Sequence, residues 1–318
     1  MKSLKVLAVT AAAVIAMTAA VSQAAEKQIV LMWTGKAQMP KRVATGFLAK
    51  MREAAPEVKV VQHREIEKIE SAEQIFKEAE ANSDGIIYLR SNGAEFLGKL
   101  QPPPRVPCFI GACNNPQELG AVKNLASPEG MITGVTYFIP YEKRFEVMKQ
   151  LFPNIKSVGL LVQKGHAATP IEQAGTKAQC DRLGLSYNEV VAENVGQLSE
   201  GIKQLSGNVD VFIISSTALI IDNLNTILGV ANAAKKPIFS YASDRAERGA
   251  TAELAANDEK LGKMLADSVL EVVTKGTPIW KVPVKMDSDP EIVVNQGVVS
   301  SLELKVPESI MGKARLVK

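Results

Sequence analysis

The sequence predicts an α/β protein of two lobes. Residues 28 to 112 and 157 to 241 repeat one order of strands and intervening helices, and each strand is nearly all apolar. A strand apolar on both faces belongs to a parallel sheet covered on both sides by helices. A third observation is the stretch Gly130 to Thr136, whose glycines and β-branched residues suit an extended segment crossing between lobes.

In the first unit, Gln28 to Trp33 is an apolar run of strand length, and Lys41 to Ala54 places Val43, Phe47, Leu48 and Met51 at helical spacing. Val58 to Gln62 reads as a short strand, and Ser71 to Ala81 as a helix capped by Ser71 with Gln74 three residues on. Gly85 to Leu89 is a strand, Asn92 to Leu100 a helix stopped by Pro102-Pro103-Pro104, and Val106 to Ile110 the closing strand.

The second unit repeats the order. Ser157 to Val162, Ser186 to Val191, Asp210 to Ile214 and Pro237 to Tyr241 are its strands; Ile171 to Leu183, Leu198 to Leu205 and Leu219 to Ala234 are its helices. In the tail, Gly249 to Ala255 is extended, Asp258 to Lys275 is an amphipathic helix, and Lys281 to Lys285 and Ile292 to Asn295 are short strands. The expected lobes are residues 25–135 plus 250–277 and residues 136–249 plus 278–318, with Gly249 and Gly276-Thr277-Pro278 as second and third crossings.

Lys2 and Lys5 open a secretory signal whose apolar run, Leu7 to Val21, ends at the small residues Ser22-Gln23-Ala24. The run is shorter than the roughly 20 apolar residues of a spanning helix, so cleavage near Ala24 and a freely diffusing periplasmic chain are expected. Losing two lysines and no acid lowers the formal charge from +3 to +1, which offers no electrostatic footprint for nucleic acid. Cys108, Cys113 and Cys180 are an odd number for an oxidising compartment. Cys108 and Cys113 could pair, and buried free thiols explain them equally well.

Strand carboxyl ends and helix N-termini gather backbone N–H donors at one edge of an open parallel sheet. Two such edges facing each other make a pocket with polar walls. The ends supply the candidate ligand-contacting residues Trp33, Thr34, Ser91, Asn92 and Asn114 in the first lobe and Ser216, Thr217, Tyr241 and Asp244 in the second, with Tyr137 at the crossing. Ser91, Asn92, Ser216 and Thr217 serve equally as helix N-caps, and Trp33 is either an aromatic wall or packing under a loop.

From Ile132-Thr133-Gly134-Val135 through Tyr141 to Phe145, Leu151-Phe152-Pro153 and Ser157 to Leu161, the chain resembles the second-lobe opening of the ABC transporter substrate-binding family that includes tryptophan- and tyrosine-binding proteins. Lys236 to Phe239, Arg248-Gly249-Ala250, Leu261 to Met264 and Leu304 to Ile310 fit its later landmarks. The resemblance implies two Rossmann-like lobes with parallel sheets joined by a three-stranded hinge, the type I periplasmic binding protein. It implies closure over a small organic ligand, an amino acid or related carboxylate, and delivery to an ABC permease in the inner membrane. Ser91 and Asn92 stand where the family sets a hydroxyl and backbone amides against the ligand carboxylate.

One departure bears on the ligand. Amino-acid binders of the family carry an acidic residue just after the crossover Gly-Val, where this chain has Thr136-Tyr137-Phe138. Asp244 and, less directly, Asp222 are the available substitutes. No Gly-x-Gly-x-x-Gly, Walker loop or Gly-x-Ser-x-Gly elbow is present, and His63 and His166 stand far apart without ligand spacing. The sequence thus reads as a binder, expected to act as a monomer, with no cofactor, metal or catalytic set, rather than an enzyme. Transport and delivery of the closed form to a receptor or histidine kinase share the same binding physics, and both stay open.

Overall fold

The computed structural model describes residues 26–318, and the secretory signal read at residues 1–24 lies outside the described residues. The first unit runs β1 (Gln28–Thr34), α1 (Gln38–Ala54), β2 (Lys59–Ile66), α2 (Ile69–Asn82), β3 (Gly85–Leu89), α3 (Ser91–Lys99), β4 (Cys108–Gly111) and β5 (Ile132–Thr136). The second runs α4 (Tyr141–Leu151), β6 (Ser157–Gln163), α5 (Thr169–Leu183), β7 (Ser186–Ala192), α6 (Val195–Leu205), β8 (Val211–Ile214), α7 (Ala218–Asp222), α8 (Leu224–Ala233) and β9 (Ile238–Ser240). The tail adds β10 (Ala252–Ala255), α9 (Asp258–Val269), β11 (Lys285–Met286), β12 (Glu291–Asn295), α10 (Gln296–Ser301), α11 (Glu308–Met311) and β13 (Arg315–Val317).

Two sheets result. The first has the order β11-β5-β4-β3-β1-β2 and is parallel throughout. The second has the order β13-β12-β10-β9-β8-β6-β7, with β12 antiparallel to β10. Both faces of each are covered, as the unbroken apolar strands require. Ile29, Leu31 and Trp33 of β1 join Phe47 and Leu265 on one face, while Val30 and Met32 join Phe76 and Ala79 on the other. In the second sheet Leu160 packs with Phe145 and Met148, and Leu161 with Leu198 and Ile227.

The first crossing falls at residues 137–140, between β5 and α4, just after the stretch Gly130 to Thr136, whose Ile132–Thr136 is strand β5 of the first sheet. The other two differ from expectation. Ala252–Ala255 pairs with β9 and β12 and so belongs to the second sheet, while Lys285–Met286 pairs with β5 and belongs to the first. The chain therefore crosses at residues 256–257 and 287–290, not at Gly249 or Gly276. Those glycines have φ of +109° and +74° and mark turns into β10 and out of the helical stretch after α9.

Helix α9 returns to the first lobe and crosses α1 at Gly46 and Gly262, where a Cβ on either would run into the backbone of the other helix. Smaller differences concern helix ends. Lys68 rather than Ser71 is the N-cap of α2, the helix expected over Leu219 to Ala234 breaks at Asn223, and α9 widens into a π turn at Leu270–Thr274. Cys108, Cys113 and Cys180 are buried free thiols. No described helix is long and apolar enough to cross a membrane.

Candidate ligand site between the lobes

Where β3 ends, Arg90 turns the chain with φ +77°, a left-handed conformation uncommon for a side-chain-bearing residue. Its Nη1 donates to the Thr34 carbonyl at 2.6 Å. Gly35 leaves room for that contact, since a Cβ there would meet the guanidinium. Burial holds the Arg90 pKa below its ordinary value, against the weaker opposing pull of Tyr137 and Asp222. Among the described residues Arg90 forms no ion pair.

Helix α3 follows at once. Its first recorded backbone bond runs from Ala94 N–H to the Arg90 carbonyl, so the N–H groups of Ser91, Asn92 and Gly93 precede the helical ladder and point from its N-terminus. Ser91 is not a side-chain cap. Its buried Oγ accepts the Asn114 N–H at 3.1 Å, which ties the end of β3 to the end of β4.

The second lobe closes over these groups with His166 after β6, Ser216 after β8 and Ile221 on α7, and Tyr137 forms the floor at the crossing. The lobes stand close here, and the enclosed space between them is about 20 Å³, with Met39, Pro40 and Ala112 as an apolar side. His166 Nδ1 accepts the Ala168 N–H at 3.1 Å, which leaves the proton of a neutral imidazole on Nε2. Burial pushes the His166 pKa down to about 4, with the Arg90 charge adding to the shift. Ser216 Oγ is buried without a partner. Burial also raises the Tyr137 phenol, as does the charge of Glu172.

Of the residues predicted from the sequence, Ser91, Asn92, Tyr137 and Ser216 therefore meet at one cleft. Thr34 reaches it through its carbonyl on Arg90. The other five stand elsewhere. Trp33 is fully buried on the core face of β1 with Leu31. Thr217 is fully buried, its Oγ1 3.3 Å from Ser215 Oγ. Tyr241 is buried with its ring stacked 3.8 Å from the Arg144 guanidinium carbon. Asp244 lines a separate groove with Arg42. Asn114 is buried and its Nδ2 donates across the lobes to Glu172 at 2.5 Å.

Glu172 on α5 is fully buried and pairs with Arg144 of α4 at 3.0 Å. Arg144 Nε donates to the Ile139 carbonyl at 2.7 Å, and the rings of Phe138, Tyr141 and Tyr241 surround the guanidinium. This buried set locks the first crossing onto the second lobe, and Asn114 extends it into the first. Arg90, Arg144 and Glu172 carry geometry that sequence reasoning missed. Arg90 opens the strand-end stretch Arg90-Ser91-Asn92-Gly93, and its part in the cleft shows only once Thr34 and Gly35 are seen beside it.

The family model described as ABC transporter substrate binding protein matches residues 72–318. The chain belongs to this family. A tyrosine-binding protein of Clostridioides difficile (strain R20291) is 24% identical over 200 residues, which are 63% of this chain and 58% of that relative. The chain thus matches less than two thirds of that relative's length. An ABC domain in complex with L-Trp from Streptococcus pneumonia superposes with a TM-score of 0.81 at 21% identity, over 92% of this chain and 100% of the other. The ligand-free, open structure of a substrate binding protein with adhesive properties from Clostridium difficile gives 0.75 at 20% identity, over 92% and 99%. At these identities the likeness concerns the fold, which is that of a type I periplasmic binding protein: two α/β lobes joined by three crossings.

Proposed function

We propose that this substrate-binding protein is the periplasmic solute-binding component of an ABC importer, which closes over a small organic carboxylate in the interlobe cleft and presents it to an inner-membrane permease. One observation carries the reading. Arg90 and the N-terminal amides of α3 on the first lobe face His166 and Ser216 on the second across a single cleft floored by Tyr137. A ligand that touches both walls favours the closed arrangement by its differential affinity for it. The amides and hydroxyls are donors, which suits a carboxylate. The L-Trp complex and the tyrosine-binding relative support a ligand of amino-acid size.

Thermal-shift measurements on the mature chain against amino acids, aromatic and aliphatic acids, nucleosides and sugars test the reading, since a ligand of the native state raises the melting temperature. A carboxylate is expected to shift it, and replacing Ser91 or Tyr137 should weaken the shift while leaving the far-ultraviolet circular dichroism intact. A shift produced only by compounds without a carboxylate would refute the ligand class.

A further inference from the structure

We infer that the cleft selects an organic anion that carries no ammonium group, such as an aryl-substituted or branched 2-oxo or acetic acid, with Arg90 as its counter-charge. This rests on the cleft reading above and narrows its ligand class.

The inference comes from the charges at the cleft. Arg90 is its one formal charge, and no carboxylate lines it. Three acids near the site are committed to other partners, and a fourth lies outside the lining. Glu172 is held by Arg144 and Asn114, Asp244 by Arg42 and Arg245, and Glu95 by Lys99. Asp222, at the exposed end of α7, does not line the cleft, and its charge, though it acts on Arg90, is shared with solvent.

A partly buried guanidinium without a counter-ion is costly, because its desolvation is not offset by a partner. A bound carboxylate supplies that partner, and the planar fork of arginine suits it. The donors around Arg90 point the same way. The α3 amides and the His166 Nε2–H donate, and Ser216 Oγ has no other bond to make. An amino acid would bring its ammonium beside a fixed cation into a cleft with no acidic acceptor, and like charges there repel. Met39, Pro40 and Ile221 offer apolar surface to the rest of the molecule.

Isothermal titration of the mature protein with matched pairs tests this: indole-3-acetate with tryptophan, 4-hydroxyphenylacetate with tyrosine, phenylpyruvate with phenylalanine, and 4-methyl-2-oxopentanoate with leucine. At least one acid should bind roughly tenfold or more tightly than its amino-acid partner. The neutral amide of that acid should bind at least as much more weakly, which tests the charge without altering the protein. Arg90→Gln and Arg90→Lys should both lose that affinity, Gln the more. Amino acids that bind as tightly as or tighter than their partners would overturn the ligand class and leave the cleft reading standing, and so would an amide that binds like its acid. Silence from both series would overturn the cleft reading and the class with it.

Discussion

Arg42 on α1 and Asp244 after β9 are held 2.8 Å apart across the lobe boundary. The same guanidinium bonds Asp258 at 2.8 Å and Ser243 at 3.0 Å, and Ser243 Oγ donates to Asp258 at 2.6 Å. The first lobe supplies Arg42 and Asp258, and the second supplies Ser243 and Asp244. With Asn114 donating to Glu172, the lobes are tied by polar contacts at two separate places.

The Arg42 tie should bias the lobes toward closure in the absence of ligand. Because Arg42 keeps 29% of its side chain exposed, its bond to Asp244 is screened and contributes about 1 kcal/mol, roughly a fivefold change in the ratio of closed to open. Asp244→Asn should therefore raise the radius of gyration of the unliganded protein in small-angle scattering. An unchanged radius would show that the pair does not hold the lobes together.

The buried Arg144–Glu172 pair should behave oppositely to a surface pair. Arg144→Met leaves the Glu172 carboxylate buried with Asn114 as its one remaining partner, and should cost about 3 to 5 kcal/mol in urea denaturation. Adding Glu172→Gln removes the stranded charge, so the double variant should regain part of the loss. If the two losses simply added, the pair would not be coupled.

Gly262→Ala should destabilise the first lobe by roughly 1 to 3 kcal/mol, because the added methyl group meets the Val43 carbonyl and pushes α9 away from α1. Gly276→Ala meets no atom within 4 Å, and its penalty should come from its φ of +74°. Equilibrium unfolding of both separates contact from backbone strain. A neutral Gly262→Ala would contradict the close approach.

Glu253 on β10 is buried, and that burial pushes its carboxyl up to about 7, against the backbone N–H bonds from Arg245 and Ala246 that favour the ionised form. The unfolded state loses this proton near the ordinary carboxylate range while the folded state keeps it. The group's contribution to stability is therefore full at low pH, falls as pH rises from about 4.5 to about 7, and is level above that. Glu253→Gln should show no such fall. Its stability relative to the parent chain should rise between pH 5 and pH 8, by up to about 3 kcal/mol, and an equal difference at both pH values would contradict the buried carboxyl.

The two-lobe architecture is legible in the sequence because parallel strands covered on both faces leave runs such as Ile29 to Trp33 and Val158 to Val162 with little polar interruption. The later crossings are not legible. They depend on β10 pairing with β9 and β12 and on β11 pairing with β5, long-range choices with no local mark. Gly249 and Gly276 announce turns, and a turn need not be a crossing. At the site, the structure gathers Ser91, Asn92, Tyr137 and Ser216 of the strand-end residues around one cleft, yet position along a strand does not say which way a side chain faces. Trp33 shares its face with Leu31 and is drawn into the core. Tyr241 is taken up by the Arg144 guanidinium, and Asn114 by the bond to Glu172.

The central claim is that a small ligand is held between Arg90–Ser91–Asn92 and His166–Ser216. Native mass spectrometry of residues 25–318, incubated with a small-molecule extract and then desalted, reads it without prior choice of ligand. The parent chain should retain an adduct of a few hundred daltons, and Ser216→Trp, which fills the cleft from the second lobe, should not. An adduct retained unchanged by Ser216→Trp, or none on the parent chain, would contradict the claim.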